Sequence, residues 1–254
     1  MGNKVGEFLS KLTRTTEKVT DDILLLKFTI VNACMVGYPG VEDPKWALID
    51  TGLENSHDFI LDRVYDRFGM DLPPQAIILT HGHFDHIGSS ISLSRHWDVP
   101  VFINEKEMPY VTGKKDYPLG NPEVDSGLVS IDLKSHIFPL PEDGSLPYMP
   151  EWRYINTPGH TVDHISLFRE RDRTLIVCDA FSSTKQESLM SVIAQSKTIS
   201  GPPKYLTEDF KLAKESINKL KTLKANLAIT SHGPPLRGQE LSKYLGDLIK
   251  NHDK

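Results

Sequence analysis

The chain has little cysteine, no long apolar run and no excess of basic charge, and each lack removes a class of protein. Only 2 cysteines occur in 254 residues. They are Cys34 and Cys178, both inside apolar segments. Such residues read as buried free thiols, which excludes a disulfide scaffold and fits a reducing compartment, the cytoplasm. No stretch reaches the roughly 18 consecutive apolar residues of a membrane-spanning helix. The first residues lack the apolar core of a signal peptide. Met1-Gly2 opens the chain, but Gly6 stands where an acylation motif wants Ser or Thr. With 29 Lys and Arg against 34 Asp and Glu, the net charge is -5. That balance gives no support for a polyanionic partner, and the basic stretch Lys211 to Lys224 reads as the solvated face of an amphipathic helix. Neither a nucleic acid nor a membrane is expected as partner, and the chain is expected to be a monomer or homodimer.

What is present describes an ordinary globular chain, 39% hydrophobic and 25% charged. It is long enough for one large domain, taken as 1–254, with a loop-rich lid or substrate segment at about 104–150. Residues 1 to about 20 read as a polar lead with a helical turn through Val5, Phe8, Leu9 and Leu12. Apolar, β-branched runs predict strands at Ile23-Leu26, Thr29-Val36, Trp46-Ile49, Ile77-Thr80 and Val99-Ile103. More follow at Arg153-Asn156, His164-Phe168, Leu175-Cys178 and Leu227-Thr230. Helical periodicity marks His57 to Phe68, a helix beginning at Asp85, and a stripe of Phe210, Ala213, Ile217, Leu220 and Leu223 with Thr207 as its N-cap. A short helix closes the chain. Strands first, then strand-helix alternation, then the same again, predict a layered α/β protein with two sheets face to face and helices outside.

The chemistry concentrates just past strand ends, where loops carry function on a rigid scaffold. Thr80-His81-Gly82-His83-Phe84-Asp85-His86 packs three imidazoles and a carboxylate into six residues behind Ile77-Ile78-Leu79. Imidazole nitrogen and carboxylate oxygen suit zinc, iron or manganese, and their crowding is costly unless an ion balances it. His160, Asp179 and His232 recur in the same setting after later strands. Together these residues supply five His and two Asp, the inventory for two metal ions about 3.5 Å apart.

In that order of stations the chain resembles the metallo-β-lactamase-fold hydrolase superfamily, its lactonase and glyoxalase II-like branch above all. The stations are Asp50-Thr51-Gly52, the His-x-His-x-Asp-His run at 81–86, His160, Asp179 and His232. The resemblance implies a four-layer αβ/βα sandwich with two divalent ions between the sheet edges, zinc first, with manganese and iron as alternatives. It implies that His81, His83 and His160 bind the first ion, Asp85, His86 and His232 the second, and that Asp179 bridges them. Asp50 resembles an aspartate that braces the His loop, and His164 reads as packing or supporting these ligands. His57, His96, His136 and His252 match nothing and are expected at the surface.

The resemblance also separates branches. Asp179 as bridging ligand argues against antibiotic hydrolysis. The long C-terminal region with which glyoxalase II enzymes grip glutathione is not expected in the 22 residues after His232. The expected activity is a metallohydrolase in which a metal-generated hydroxide attacks an ester, lactone or thioester of a small molecule, with Asp85 orienting the water and shuttling its proton. The alternatives are a phosphodiesterase or nuclease, a single-iron persulfide dioxygenase, and a catalytically silent binding protein. For specificity the sequence offers the 104–150 segment and Gly201-Pro202-Pro203-Lys204-Tyr205. Tyr38, Tyr110, Tyr117 and Tyr205 are candidate donors to a substrate oxygen, and Arg237 a candidate partner for an anionic group.

Overall fold

In the computed structural model, residues 14–117, 136–184, 200–203 and 206–251 are described. Two sheets lie face to face. The first has seven strands in sequential order: β1 (Thr15–Lys18), β2 (Ile23–Lys27), β3 (Asn32–Val36), β4 (Ala47–Ile49), β5 (Ile77–Ile78), β6 (Val101–Ile103) and β7 (Ile137–Pro139). The strands β1 to β4 pair antiparallel and β4 to β7 parallel. The second sheet contains β8 (Trp152–Asn156), β9 (Ile165–Arg169), β10 (Thr174–Cys178), β11 (Leu227–Thr230) and β12 (Leu236–Arg237), in the order β12-β11-β10-β9-β8. Among the described residues the helices are α1 (His57–Phe68), α2 (Phe84–Ile87), α3 (Ser90–Trp97), α4 (Met108–Val111), α5 (Phe210–Thr222) and α6 (Gly238–Asn251).

The side-chain period of two decides which layer each strand residue joins. On β3, Cys34 and Val36 enter the core between the sheets, while Ala33 and Met35 face the helices. On β10, Ile176 and Cys178 face inward and Leu175 and Val177 outward. Both faces are buried, so these strands read as continuous apolar runs rather than alternating ones. Ile60 and Val64 of α1, with Leu93 of α3, cover the first sheet. Ile217 and Leu220 of α5, with Leu241, Leu245 and Leu248 of α6, cover the second. The result is the four-layer αβ/βα sandwich expected from the stations. Each fully buried Leu or Ile contributes about 1.5–3 kcal/mol.

Helix α1 has the bounds the periodicity predicts, and Gly69 in the left-handed region ends it, its N–H donating to the Tyr65 carbonyl. Other boundaries differ for identifiable reasons. The cap of α5 is Asp209, whose carboxylate accepts from the N–H groups of Lys211 and Leu212 at 2.8 and 2.9 Å. Thr207 instead donates its hydroxyl to the Pro203 carbonyl at 2.7 Å. Phe210 is exposed rather than part of the buried stripe. The polar lead contains a strand, β1, whose Thr-Thr-Glu-Lys sequence suits a solvated edge. The closing helix α6 is 14 residues long rather than short. The 104–150 segment is regular in part, carrying a 3-10 turn at Glu105–Glu107, α4 and β7. The expected turn through Val5 to Leu12 lies outside the described residues, as do Tyr205, His252 and 118–135 of the lid segment.

Candidate metal centre

All the strand ends that carry chemistry meet at one rim of the sandwich. Asp50 follows β4, the His81–His86 run follows β5, His160 follows β8, His164 precedes β9, Asp179 follows β10 and His232 follows β11. The two sheets are tied together there. Asn32 at the start of β3 donates its side-chain amide to the carbonyls of Thr230 (3.0 Å) and Gly233 (2.9 Å), and its N–H to Ser231 (2.7 Å). The Ile165 N–H donates to the Thr80 carbonyl at 3.1 Å. Two residues at this rim hold left-handed backbone without being glycine, Asp50 (φ 57°) and Cys178 (φ 56°). Such strain persists where the surroundings over-determine it, as at functional sites.

The structure brings His81, His83, Asp85, His86, His160, Asp179 and His232 together as buried residues. His81 Nε2 lies 3.0 Å from His83 Nδ1, which lies 2.9 Å from His160 Nε2. Three nitrogens converging this closely cannot all be satisfied by protons shared among themselves. Around a tetrahedral zinc with Zn–N near 2.0–2.1 Å, ligand nitrogens stand about 3.3 Å apart, close to this spacing. In the other half, Asp85 lies 3.7 Å from both His86 Nε2 and His232 Nε2. Between the halves, Asp179 Oδ2 is 3.3 Å from His160 Nε2, 3.3 Å from His232 Nε2 and 3.5 Å from His86 Nε2.

The remaining imidazole nitrogens are held from behind, which aims the others into the centre. His86 Nδ1 donates to Asp50 Oδ2 at 2.9 Å, and His232 Nδ1 to the Ile30 carbonyl at 2.5 Å. Asp50 also accepts the N–H and hydroxyl of Thr80, each at 2.9 Å, and Thr80 Oγ1 stands 3.1 Å from His81 Nδ1. One carboxylate therefore orients two imidazoles. His164 takes no place among the converging atoms. Its Nε2 accepts the Asp179 N–H at 3.0 Å, which leaves the proton on Nδ1 facing Thr157 Oγ1 at 2.8 Å. Burial, with His160 nearby, pushes the His164 imidazole down to about 3, so it stays neutral and fixes the backbone of Asp179.

The electrostatics of the two halves differ. Burial and neighbouring imidazoles hold His81 and His83 well below the ordinary histidine range, leaving them neutral as metal ligands must be. Burial also opposes charge on His86, but Asp85, Asp179 and Asp50 outweigh it and raise His86 well above that range. Burial likewise opposes ionised Asp179, and His232 and His86 overcome it, holding the carboxyl well below the usual value. This half calls for positive charge. His86 Nε2 and Asp179 Oδ1 are buried without hydrogen-bond partners, as is His160 Nδ1. Orphaned buried polar atoms are costly, and His86 Nε2, 3.7 Å from Asp85 and 3.5 Å from Asp179, stands where an ion would bond it. The donor set fits a divalent metal.

Other candidates stand elsewhere. Arg237 pairs with Leu227, at the end of β11 away from His232, and its guanidinium donates to the Val19 carbonyl at 2.8 Å. It does not face the centre. Tyr38 is at that same far end, its hydroxyl taken by Arg171 at 2.8 Å. Tyr117 is beside the centre, 5.1 Å from the His83 ring and stacked on Tyr110 at 4.2 Å, but its hydroxyl is committed to Glu107. His57 and His96 are partly exposed and paired with Asp58 and Asp71. His136 lies 3.5 Å from Asp98. Sequence reasoning missed Asn32 as a tie and Glu107 altogether.

Known proteins agree with this architecture. Residues 28–232 match the model of the metallo-beta-lactamase superfamily. A Bacillus subtilis protein named "Probable metallo-hydrolase YflN" is 45% identical over 233 residues, 88% of each chain. A second from that organism, "Probable metallo-hydrolase YybB", is 31% identical over 205 residues, 81% of this chain and 80% of the relative. Among solved structures, a beta-lactamase domain protein from Burkholderia ambifaria superposes with TM-score 0.66 at 21% identity, over 94% of this chain and 76% of that one, a likeness of fold. The chain belongs to the metallo-beta-lactamase superfamily and is a metal-dependent hydrolase of it.

Proposed function

We propose that the protein is a binuclear hydrolase of small-molecule esters, lactones or thioesters. One observation carries this reading: the Asp179 carboxylate stands within 3.5 Å of imidazoles from both halves of the cluster. His81, His83 and His160 would hold one ion and Asp85, His86 and His232 the other, with Asp179 shared. Zinc suits this donor set best, with manganese and iron acceptable. Bound there, the ions supply Lewis acidity and lower the pKa of water from 15.7 toward about 7.

The protein's own groups do the rest. Asp85, 7% exposed, points its two oxygens toward His86 and His232 and is placed to take a proton from the attacking water. A carbon–oxygen bond forms from water to the acyl carbon, the bond to the leaving oxygen or sulfur breaks, and the proton passes to that leaving atom. Asp50 and His164 keep the ligands in register while charge shifts. The Tyr110–Tyr117 stack offers an apolar wall beside His83. Glu208, whose N–H donates to the His160 carbonyl at 3.3 Å, puts a carboxyl rather than a cation beside that loop, which does not favour a phosphate chain. A small neutral acyl compound fits this rim better than a nucleic acid. The two buried free thiols suit a cytoplasmic setting.

The test is metal analysis of the purified protein combined with a panel of lactones, thioesters, phosphodiesters and β-lactams. Two metal equivalents and chelator-sensitive hydrolysis of an acyl substrate are expected. A single iron would support a dioxygenase instead, and hydrolysis that survives complete metal removal would defeat the proposal.

A further inference from the structure

Glu107 is a fully buried carboxylate in the 3-10 turn after β6, on the way to α4. Its Oε1 accepts the Thr161 hydroxyl at 2.6 Å and the Asp163 N–H at 2.9 Å. The Tyr117 hydroxyl donates to Oε2, and the Gly82 N–H is a further donor. These partners are not scattered. Gly82 separates His81 from His83, and Thr161 follows His160. The first loop hangs from the seven-stranded sheet and the second from the five-stranded one. Glu107 therefore bonds both loops exactly where an imidazole trio is assembled from two sheets.

The chemistry of the carboxylate matches that task. Four donors converge on one group, and only an acceptor-only side chain can answer all of them. Gln of the same shape would aim its amide nitrogen at donors, and neither Asp163 N–H nor Gly82 N–H can reverse its role. The close approach is built in as well, because a Cβ at Gly82 would collide with the Tyr117 hydroxyl and with Val111. Burial of the carboxyl is costly, and hydrogen bonds to Thr161, Tyr117 and the two backbone groups offset part of that cost.

We infer that Glu107 is a positioning residue for the His81, His83 and His160 trio, clamping the two loops that present it. The inference rests on the ligand assignment above and concerns one of the two ions only. Its effect should resemble that of other supporting groups behind metal ligands, about 10- to 100-fold in metal affinity.

The experiment is zinc binding by chelator competition on metal-stripped full-length protein, with far-UV circular dichroism to confirm folding. Wild type is expected to bind two zinc ions and His160→Ala to lose one of them. Glu107→Gln is expected to weaken one ion 10- to 100-fold and leave the other unchanged. In the His160→Ala background, Glu107→Gln should leave the remaining ion's affinity unaltered. If Glu107→Gln fails to fold, Thr161→Val removes a single donor and should weaken the same ion several-fold. Equal weakening of both ions, or wild-type affinity in a folded Glu107→Gln or Thr161→Val variant, overturns the clamp. If wild type binds one zinc, or His160→Ala keeps both, the ligand assignment itself fails and the clamp with it.

Discussion

The two ends of the sandwich treat buried charge in opposite ways. At the base, Arg169, 1% exposed, is fully answered: its guanidinium bonds Asp22 at two nitrogens and Asp172 at 3.1 and 2.7 Å, and packs 4.6 Å over Trp152. Asp22 also takes the Thr20 hydroxyl at 2.8 Å. About four residues along β9, roughly 13 Å of strand, the other end gathers a cluster of five imidazoles and two carboxylates, with His164 and Asp50 buried behind it, and leaves His86 Nε2 and Asp179 Oδ1 unanswered. Both ends join the two sheets. The base closes its hydrogen bonds within the protein and serves as a fastening, whereas the rim leaves donor atoms open in a set that fits a divalent ion.

The largest expected effect breaks the rim. Asp179→Ala should remove the shared ligand, lowering kcat on the order of 10³-fold and releasing metal, as read by steady-state assay and elemental analysis. In metal-free protein the same change should also lower stability, because His232 and His86 hold the Asp179 carboxyl well below its usual value and would lose the carboxylate that answers their charge. Urea unfolding of stripped wild type and variant checks this. A variant that kept two ions and full turnover would erase the distinction between the ends.

The converse change breaks the base. Asp22→Ala leaves the buried Arg169 guanidinium with Asp172 as its one carboxylate partner and should cost about 3 kcal/mol in urea unfolding. Sites this far apart act independently, so kcat/KM of the folded, metal-loaded variant should match wild type. A fall in activity larger than the fall in folded fraction would mean the ends are coupled.

How far the sequence foretells each end follows from where the partners lie. Four of the rim's candidate ligands fall within six residues after one strand, so the cluster is legible at a glance, and the later His and Asp repeat the strand-end setting. The fold is legible for a similar reason: strands buried on both faces are continuous apolar runs, and α1 carries its own periodicity and stop. The base is opaque because Asp22 and Arg169 are 147 residues apart and each alone resembles a solvated charge. Glu107 is hidden the same way, an acid in Asn104-Glu105-Lys106-Glu107 whose partners Thr161 and Asp163 lie 54 and 56 residues on. The edge strands β1 and β12 escape notice because one is polar and the other only two residues long.

Acidification sharpens the contrast further. Burial would raise the Asp22 carboxyl, but hydrogen bonds from Arg169 and Thr20 outweigh it and hold the group below the usual carboxylate range. A depressed carboxyl contributes its full stability above the unfolded value, about 3.9, and loses it as pH falls through the folded value. The stability of metal-free wild type relative to Asp22→Asn should therefore be constant from neutral pH to about 5 and shrink below about 4. Urea midpoints of the two proteins across that range measure it. A difference that grew on acidification would show that Asp22 is not held ionised by Arg169.

The smallest effect is expected at Arg237, and it is informative because the sequence alone offers it as a substrate ligand. Its guanidinium lies on the base side of β11, bonded to the Val19 carbonyl at 2.8 Å. Arg237→Ala should lose that one bond, about 0.5–1 kcal/mol of stability, with kcat/KM unchanged toward neutral and anionic acyl substrates alike. Were the residue a partner for an anionic group, removing a charged hydrogen bond would cost about 1.5–3 kcal/mol of transition-state binding, roughly 10- to 150-fold in kcat/KM and confined to the anionic compounds. A selective loss of that size would place substrate at the base of the sandwich. Parallel, unchanged profiles would leave recognition to the groups around the rim.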